Sequence, residues 1–132
     1  MPKDFDQWNG EKKKLELCNQ KVFFRERDVF FVCLGVNIGY EQDGKNKNFS
    51  RPIIVLRKFN KNIFLGVPLT TQIKNNDFYF NFFVNNRNNS AILSQIRLID
   101  SKRIVKKIGV ISIENFKVLK QKIGKLLKLA DF

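Results

Sequence analysis

The 132-residue sequence contains no histidine, and this absence excludes several chemistries at once. Mechanisms that use a histidine pair as acid and base are excluded, as are histidine-based metal sites. Any catalysis must therefore rely on carboxylate, guanidinium, hydroxyl or backbone groups. The two cysteines, Cys18 and Cys33, match no metal or redox spacing, which indicates two reduced thiols.

Long apolar runs are also missing. None approaches the roughly 18 residues that a membrane span needs, so we expect no membrane association. The N-terminus, Met-Pro-Lys-Asp-Phe-Asp, carries two acids and no apolar run behind them, unlike a signal peptide. These features predict a cytoplasmic protein.

Acidic residues are few relative to basic ones. Twenty-five Lys and Arg against twelve Asp and Glu give a formal net charge of +13. This excess indicates a polyanionic partner, which could be nucleic acid, anionic lipid or an acidic protein. Enrichment in Lys, Asn, Ile and Phe is also typical of an AT-rich genome, so charge alone leaves the partner open.

The chain length predicts a single domain that buries roughly two-thirds of its unfolded surface. Fourteen Phe against one Trp and two Tyr indicate that phenyl rings fill much of the core. Short apolar segments with turn signals every eight to twelve residues, closed by a terminal helix, predict a mainly β fold with helices. The predicted architecture is a small β-barrel.

The local pattern predicts an N-terminal helix over residues 4–20 and a C-terminal helix after Ser112, with Glu114 in its first turn. The buried stripe of that last helix is predicted to be Phe116, Leu119, Ile123, Leu126, Leu127 and Ala130. Predicted strands are a first strand within Val22–Leu34, then Ile53–Phe59, Ile63–Val67 ending at Pro68, Phe78–Val84, Ala91–Leu93 and Lys106–Ile111. Predicted turns are Asn60–Asn62, the Asn-rich run Asn85–Ser90, and a helical turn over Asp100–Val105.

The strand Phe78–Val84 has two interpretations. Alternation places Phe78, Phe80 and Phe82 on one face and Tyr79, Asn81 and Phe83 on the other. The rings could stack on RNA bases, or they could pack in the core and at interfaces. Packing is the favoured interpretation.

The polar stretch from Gly39 to Pro52 lies between two apolar runs and carries glycines, one glutamate, amides and several cations. A loop of this kind on a rigid sheet is a common place for binding and chemistry. The simpler alternative is a long solvated hairpin loop.

Four motifs occur in this order along the chain: Gly39-Tyr40-Glu41-Gln42, Arg51-Pro52, Pro68-Leu69-Thr70-Thr71, and Gln95-Ile96-Arg97-Leu98-Ile99-Asp100 followed by Lys102-Arg103. Together they resemble the MazF/PemK family of toxin ribonucleases from type II toxin–antitoxin systems, with the likeness covering Arg27–Leu127. The domain division that follows is an N-terminal helical extension at residues 1–26 and a MazF/PemK-like barrel domain at residues 27–132.

The resemblance implies an SH3-like barrel of the PemK/CcdB type, a homodimer, and an acidic antitoxin partner. It also implies cleavage of single-stranded RNA at short motifs by the substrate's own 2′-hydroxyl, without metal or cofactor, which inhibits translation and growth. The alternative is a non-enzymatic barrel of the same fold, either a gyrase-poison-like toxin or an RNA-binding module.

Residue by residue, the resemblance assigns catalysis to Arg51, Thr70 and Glu41. Arg51 would stabilise charge at the phosphorus, Thr70 would add a hydroxyl, and Glu41 would accept the 2′-hydroxyl proton. The expected RNA-binding residues are Tyr40, Gln42, Lys45, Lys47, Thr71, Ser94, Gln95 and Arg97. The chain departs from some relatives, which have aspartate at the position of Ser94 and histidine at that of Tyr40. The alternative structural roles are a salt bridge from Arg51 to Glu41, a plain strand residue at Thr70 and a buried amide at Gln95.

Overall fold

A computed structural model describes residues 6–7, 22–34, 50–84 and 86–129. Within these ranges the chain forms seven strands and one long helix. The strands are β1 (Asp28–Cys33), β2 (Ser50–Lys58), β3 (Ile63–Thr70), β4 (Tyr79–Val84), β5 (Arg87–Ile92), β6 (Arg97–Asp100) and β7 (Ile104–Val110). Two short 3-10 turns, Leu93–Gln95 and Ser101–Arg103, flank β6, and helix α1 (Ile113–Leu126) follows β7.

The strands form one antiparallel sheet in the order β4-β5-β3-β2-β1-β7, with β6 pairing along the first half of β3. The prediction of a mainly β fold with a C-terminal helix is confirmed. The sheet is a curled half-barrel and not a closed barrel, however. Its edge strands are β4 and β7, and the described residues of these two strands do not pair with each other. Register shifts in the β1–β7 and β2–β3 ladders mark irregularities of the kind that bend strands.

Apolar residues cover both sides of the central strands. On one side, Ile54 and Leu69 belong to a cluster that also contains Phe116 and Leu119 of α1. On the other side, Ile53 joins a second cluster with Phe24, Phe64, Ile99 and others. Because alternate residues of β2 enter different clusters, this strand is buried on both faces, as its continuous apolar sequence indicates.

The prolines of β2 and β3 lie inside these strands, whereas the sequence pattern predicts that the strands begin or end at them. Pro52 is the third residue of β2, and β3 continues past Pro68 to Thr70. Each proline pairs with a neighbouring strand on one side only. The β2–β3 ladder begins at Ile53, and Pro68 lies between the stretch of β3 that pairs with β6 and the stretch that pairs with β5. A missing backbone N–H is tolerated at such positions.

The β4–β5 hairpin is more extensive than predicted. Its two strands pair from Tyr79–Ile92 to Val84–Arg87, so β5 begins at Arg87, directly after Asn86. The predicted turn over Asn85–Ser90 and the separate strand Ala91–Leu93 are therefore wrong, because most of both segments belongs to β5. Asn86 has a φ of 62°, a conformation that asparagine tolerates well. The hairpin joins the rest of the sheet through only two residue pairs, Leu69–Ala91 and Thr70–Ser90.

Helix α1 begins as predicted. The Ser112 hydroxyl accepts a hydrogen bond from the Asn115 amide at 3.1 Å, and Glu114 lies in the first turn. Phe116, Leu119 and Ile123 are buried, whereas Leu127 lies after the helix end and is 48% exposed. Leu127 was wrongly included in the buried stripe, and Ala130 lies outside the described residues.

Two other predicted segments fall largely outside the described residues. Of the predicted helix 4–20 the structure describes only residues 6 and 7, which are helical. Of the polar stretch from Gly39 to Pro52 it describes only the last three residues, which are part of β2. None of the helices in the described ranges is long and apolar enough to cross a membrane.

Candidate functional site

Arg51 lies on β2, opposite Val32 of β1, and is only 7% exposed. One terminal nitrogen of its guanidinium, Nη1, donates a hydrogen bond to the Leu69 carbonyl at 3.2 Å. The side chain therefore reaches from β2 to the end of β3. A buried guanidinium that is anchored by a carbonyl has a defined orientation, which a loop residue in solvent would lack.

Thr70 is the last residue of β3, beside Arg51. Continuing the Ile53–Pro68 pairing by two residues places Arg51 opposite Thr70. The Thr70 side chain is partly buried, and its Oγ1 accepts a hydrogen bond from the Gln72 amide at 3.2 Å. The fold thus places a guanidinium and a hydroxyl from distant parts of the sequence on neighbouring strands.

Both residues line a pocket of about 600 Å³. The complete lining is Val29, Phe31, Ser50, Arg51, Pro52, Leu69, Thr70, Thr71, Val84, Arg87, Asn89 and Ile108. Among these described residues there are two arginines and no acid. A concave surface with apolar walls, two guanidiniums and a few hydroxyls and amides suits an anion such as a phosphodiester.

Arg87 and Asn89 enter the pocket from β5, and sequence reasoning missed both. The sequence pattern predicts an Asn-rich turn there, whereas the structure places both residues at alternate positions of a strand. The pattern contains a signal that could have identified them. A turn ending at Asn86 would start the strand at Arg87 and align Arg87, Asn89 and the buried Ala91 on one face.

Of the other predicted binding residues in the described ranges, only Thr71 lines the pocket. Ser94 is exposed and Gln95 partly buried in the 3-10 turn before β6. Arg97 begins β6 and pairs with Gly66, four residues before Thr70 on β3. That separation corresponds to about 13 Å along a strand. The structure therefore does not bring Ser94, Gln95 and Arg97 into the pocket.

The remaining predicted site residues, Tyr40, Glu41, Gln42, Lys45 and Lys47, lie outside the described residues. The segment that carries them connects β1 to β2. Its flanks meet in the ladder, where Cys33 pairs with Ser50, and Ser50 lines the pocket. The described residues at its two ends therefore lie beside the pocket.

A row of polar residues extends from Arg51 across four strands. Thr70 pairs with Ser90, and Ser90 pairs with Asn81, so Arg51, Thr70, Ser90 and Asn81 follow one another on β2, β3, β5 and β4. Asn81 Oδ1 and Ser90 Oγ are buried and have no hydrogen-bond partner among the described residues.

Within the same ranges, no group of three or more His, Cys, Asp or Glu side chains could hold a metal ion.

Comparison with known families gives one match that covers most of the chain. Residues 25–127 match the family model described as the PemK-like, MazF-like toxin of type II toxin–antitoxin systems. A comparison with curated proteins found no matching sequence.

Solved structures share the fold at low sequence identity. An endoribonuclease in complex with its cognate antitoxin, from a mycobacterial species, superposes with a TM-score of 0.64 at 10% identity, covering 83% of this chain and 100% of that one. MazF from Deinococcus radiodurans gives a TM-score of 0.64 at 16% identity, covering 81% of this chain and 98% of that one. A MazE–MazF structure from the same organism gives 0.62 at 15% identity, covering 80% and 96%.

Proposed function

The chain belongs to the PemK/MazF-like toxin family of type II toxin–antitoxin systems, and on that premise we propose that it is an endoribonuclease that cleaves single-stranded RNA without a metal ion. The observation that carries the proposal is that Arg51 of β2 and Thr70 of the neighbouring strand β3 line one pocket, whose described lining contains no acid. These two residues come from separate motifs of the family resemblance. Their meeting at one place supports a common purpose.

In the proposed reaction, the 2′-hydroxyl oxygen of the substrate attacks the adjacent phosphorus and loses its proton. The bond from phosphorus to the 5′-oxygen breaks and that oxygen takes a proton from water, leaving a 2′,3′-cyclic phosphate and a 5′-hydroxyl. Arg51 stabilises the additional negative charge at phosphorus through its N–H donors. It acts as a fixed charge and not as an acid, because a guanidinium does not give up its proton in proteins.

The hydrogen bond from Arg51 to the Leu69 carbonyl supports this role, because it orients the guanidinium before substrate arrives. Preorganised donors are worth about 10²–10³-fold in rate. Thr70 would contribute its hydroxyl to the same phosphate oxygens. Glu41 is proposed to accept the 2′-hydroxyl proton, a contribution of about 10²–10⁴-fold for a positioned base.

The proposed partners follow from charge and from the family. We propose that the protein forms a homodimer and binds an acidic, partly disordered antitoxin, to which its +13 net charge is complementary. One of the similar structures is of an endoribonuclease bound to its cognate antitoxin. The remaining proposed RNA-binding residues are Thr71 at the pocket and Tyr40, Gln42, Lys45, Lys47, Ser94, Gln95 and Arg97 elsewhere.

The deciding experiment incubates the purified protein with a mixed pool of single-stranded RNA in EDTA and maps the new ends. We expect new 5′-hydroxyl ends at a short motif, and a rate at least a hundredfold lower for Arg51→Ala. Arg57→Ala is the matched control, because Arg57 is on the same strand but is exposed and pairs with Glu26. It should leave cleavage unchanged.

Intact RNA with the wild-type protein, or cutting by Arg51→Ala at the wild-type rate, would contradict the proposal. Binding of RNA without new ends would instead point to the non-enzymatic alternative.

A further inference from the structure

The β4–β5 hairpin has two faces of different character. Phe80, Phe82 and Val84 point into the core and are each less than 10% exposed. The alternate residues Tyr79, Asn81 and Phe83 point the other way, and we call them the outer hairpin face. Phe83 is 66% exposed, and Phe78 next to this face is 52% exposed. Aromatic surface concentrated in one place is a common mark of a binding site.

Polar and charged groups are mixed with these rings. The Lys74 ammonium lies 5.7 Å from the centre of the Tyr79 ring. The Asn81 side-chain amide donates to the Lys74 carbonyl and to Asn75 Oδ1, both at 3.2 Å, which attaches the segment 71–78 to the outer hairpin face. Alternating rings, amides and a cation are what single-stranded RNA binds, through stacking and charge. Protein interfaces are also rich in aromatic rings but poor in lysine, so the position of Lys74 over Tyr79 favours RNA over a second protein chain.

The exposed segment 71–78 links the outer hairpin face to the pocket. Val84, Arg87 and Asn89, which line the pocket from the hairpin, lie on its opposite, inner face, and Ser90 is buried. The row Arg51, Thr70, Ser90 and Asn81 crosses three strand spacings of about 4.8 Å each, so Asn81 lies about 14 Å from Arg51. Tyr79 and Phe83 flank Asn81 on β4, two residues to either side. Thr70 and Thr71, which line the pocket, lead directly into the segment 71–78 that lies on this face. An RNA strand held at the pocket can therefore reach the hairpin.

We propose that the outer hairpin face binds nucleotides of single-stranded RNA that flank the scissile phosphate, with Tyr79 and Phe83 stacking on their bases. This inference rests on the proposed function, which places that phosphate at Arg51 and Thr70. The hairpin thereby extends the substrate contact beyond the pocket and adds affinity that depends on substrate length. Stacking accepts every base, so the contact strengthens binding more than it selects sequence.

The test measures binding separately from cleavage. A mixed-sequence RNA with 2′-O-methyl groups at every position cannot be cut by 2′-oxygen attack, and its binding is followed by fluorescence anisotropy over a series of lengths. Wild-type affinity should rise with length. Phe83→Ala and Tyr79→Ala should each weaken binding of the long oligonucleotide by about 5- to 150-fold and leave the shortest oligonucleotide unaffected.

Three variants separate stacking from other causes. Phe83→Tyr keeps an aromatic ring and should bind as the wild type does, whereas Phe83→Leu keeps apolar area without a ring and should resemble Phe83→Ala. Phe59→Ala removes a ring that is 55% exposed just beyond the far end of β2 from Arg51, and it should have no effect. Because Phe83 is largely exposed, its variants are expected to fold.

Wild-type affinity for the long oligonucleotide in Phe83→Ala would overturn the inference while leaving the proposed function intact. The inference would also be overturned if light scattering showed Phe83→Ala to be a monomer while its RNA affinity per protomer was unchanged. That result would assign the outer hairpin face to contact with a second copy of the chain. A wild-type protein that neither cuts nor binds RNA would overturn both proposals. Loss of affinity in Phe83→Ala, with a wild type that binds but does not cut, would support RNA binding at the outer hairpin face and overturn the proposed cleavage.

Discussion

The two arginines of the pocket should have different effects when removed, because they differ in burial. Arg51 is 7% exposed and hydrogen-bonded to the Leu69 carbonyl, whereas Arg87 is exposed at the start of β5. In the proposed ribonuclease, a buried and oriented donor acts on the transition state. An exposed cation near the same pocket attracts the RNA backbone equally well before and during the reaction.

The expected magnitudes follow from this difference. Arg51→Ala should lower kcat by about 10²–10³-fold. Arg87→Ala should leave kcat unchanged and raise KM by about 2- to 5-fold, the range expected for an exposed charge pair. Losing one phosphate contact to a single strand should also reduce the slope of log affinity against log salt by about 0.7.

The assay combines steady-state cleavage of a short RNA in EDTA with anisotropy measurements at several salt concentrations. Arg57→Ala is again the control, since Arg57 is also exposed but pairs with Glu26 away from the pocket lining. A hundredfold fall in kcat for Arg87→Ala, or an unchanged salt slope for that variant, would refute the reasoning from burial.

Two further predictions concern stability and need no substrate. Gly66→Ala should lower the free energy of unfolding in urea by about 1–3 kcal/mol, because a Cβ at Gly66 would lie 2.5 Å from Ile53 Cγ2 and 2.8 Å from Ile99 Cδ1. Gly66→Ala should cost less in an Ile99→Val background, which lacks that Cδ1, and an equal cost in both backgrounds would show that crowding against Ile99 is not the cause. Ser90→Ala should not destabilise the fold and should raise its stability by up to about 1 kcal/mol, because the hydroxyl is buried without a described partner. A clear decrease in the melting temperature would mean that the hydroxyl is satisfied in solution.

Local patterns predicted the parts of this fold that depend on neighbouring residues. The Ser112 cap, the stripe of Phe116, Leu119 and Ile123, and the alternation of Tyr79 and Phe80 all follow from periods of 3.6 and 2. Strand ends were harder, because polar residues such as Arg87 and Asn89 on β5 have the composition of a turn. Their strand conformation comes from pairing with β4 and not from intrinsic preference.

The meeting of Arg51 and Thr70 depends on the register of two strands whose ladder is interrupted by a bulge. Register is a long-range property, and no periodicity within either segment specifies it. The resemblance to a family suggested that the two residues act together, and the sheet supplies the physical link. For the same reason the absence of Ser94, Gln95 and Arg97 from the pocket lining could not be read from the motif that contains them.

The attachment of the hairpin to β3 by two residue pairs has a consequence for how such proteins can diversify. Because that ladder ends at Thr70 and Ser90, extra or missing residues in 71–78 can be accommodated beyond it without shifting the strand that carries Thr70. Length variation there would change what lies on the outer hairpin face while Arg51 and Thr70 stay in place. In the proposed ribonuclease, affinity for RNA can therefore change through one surface segment.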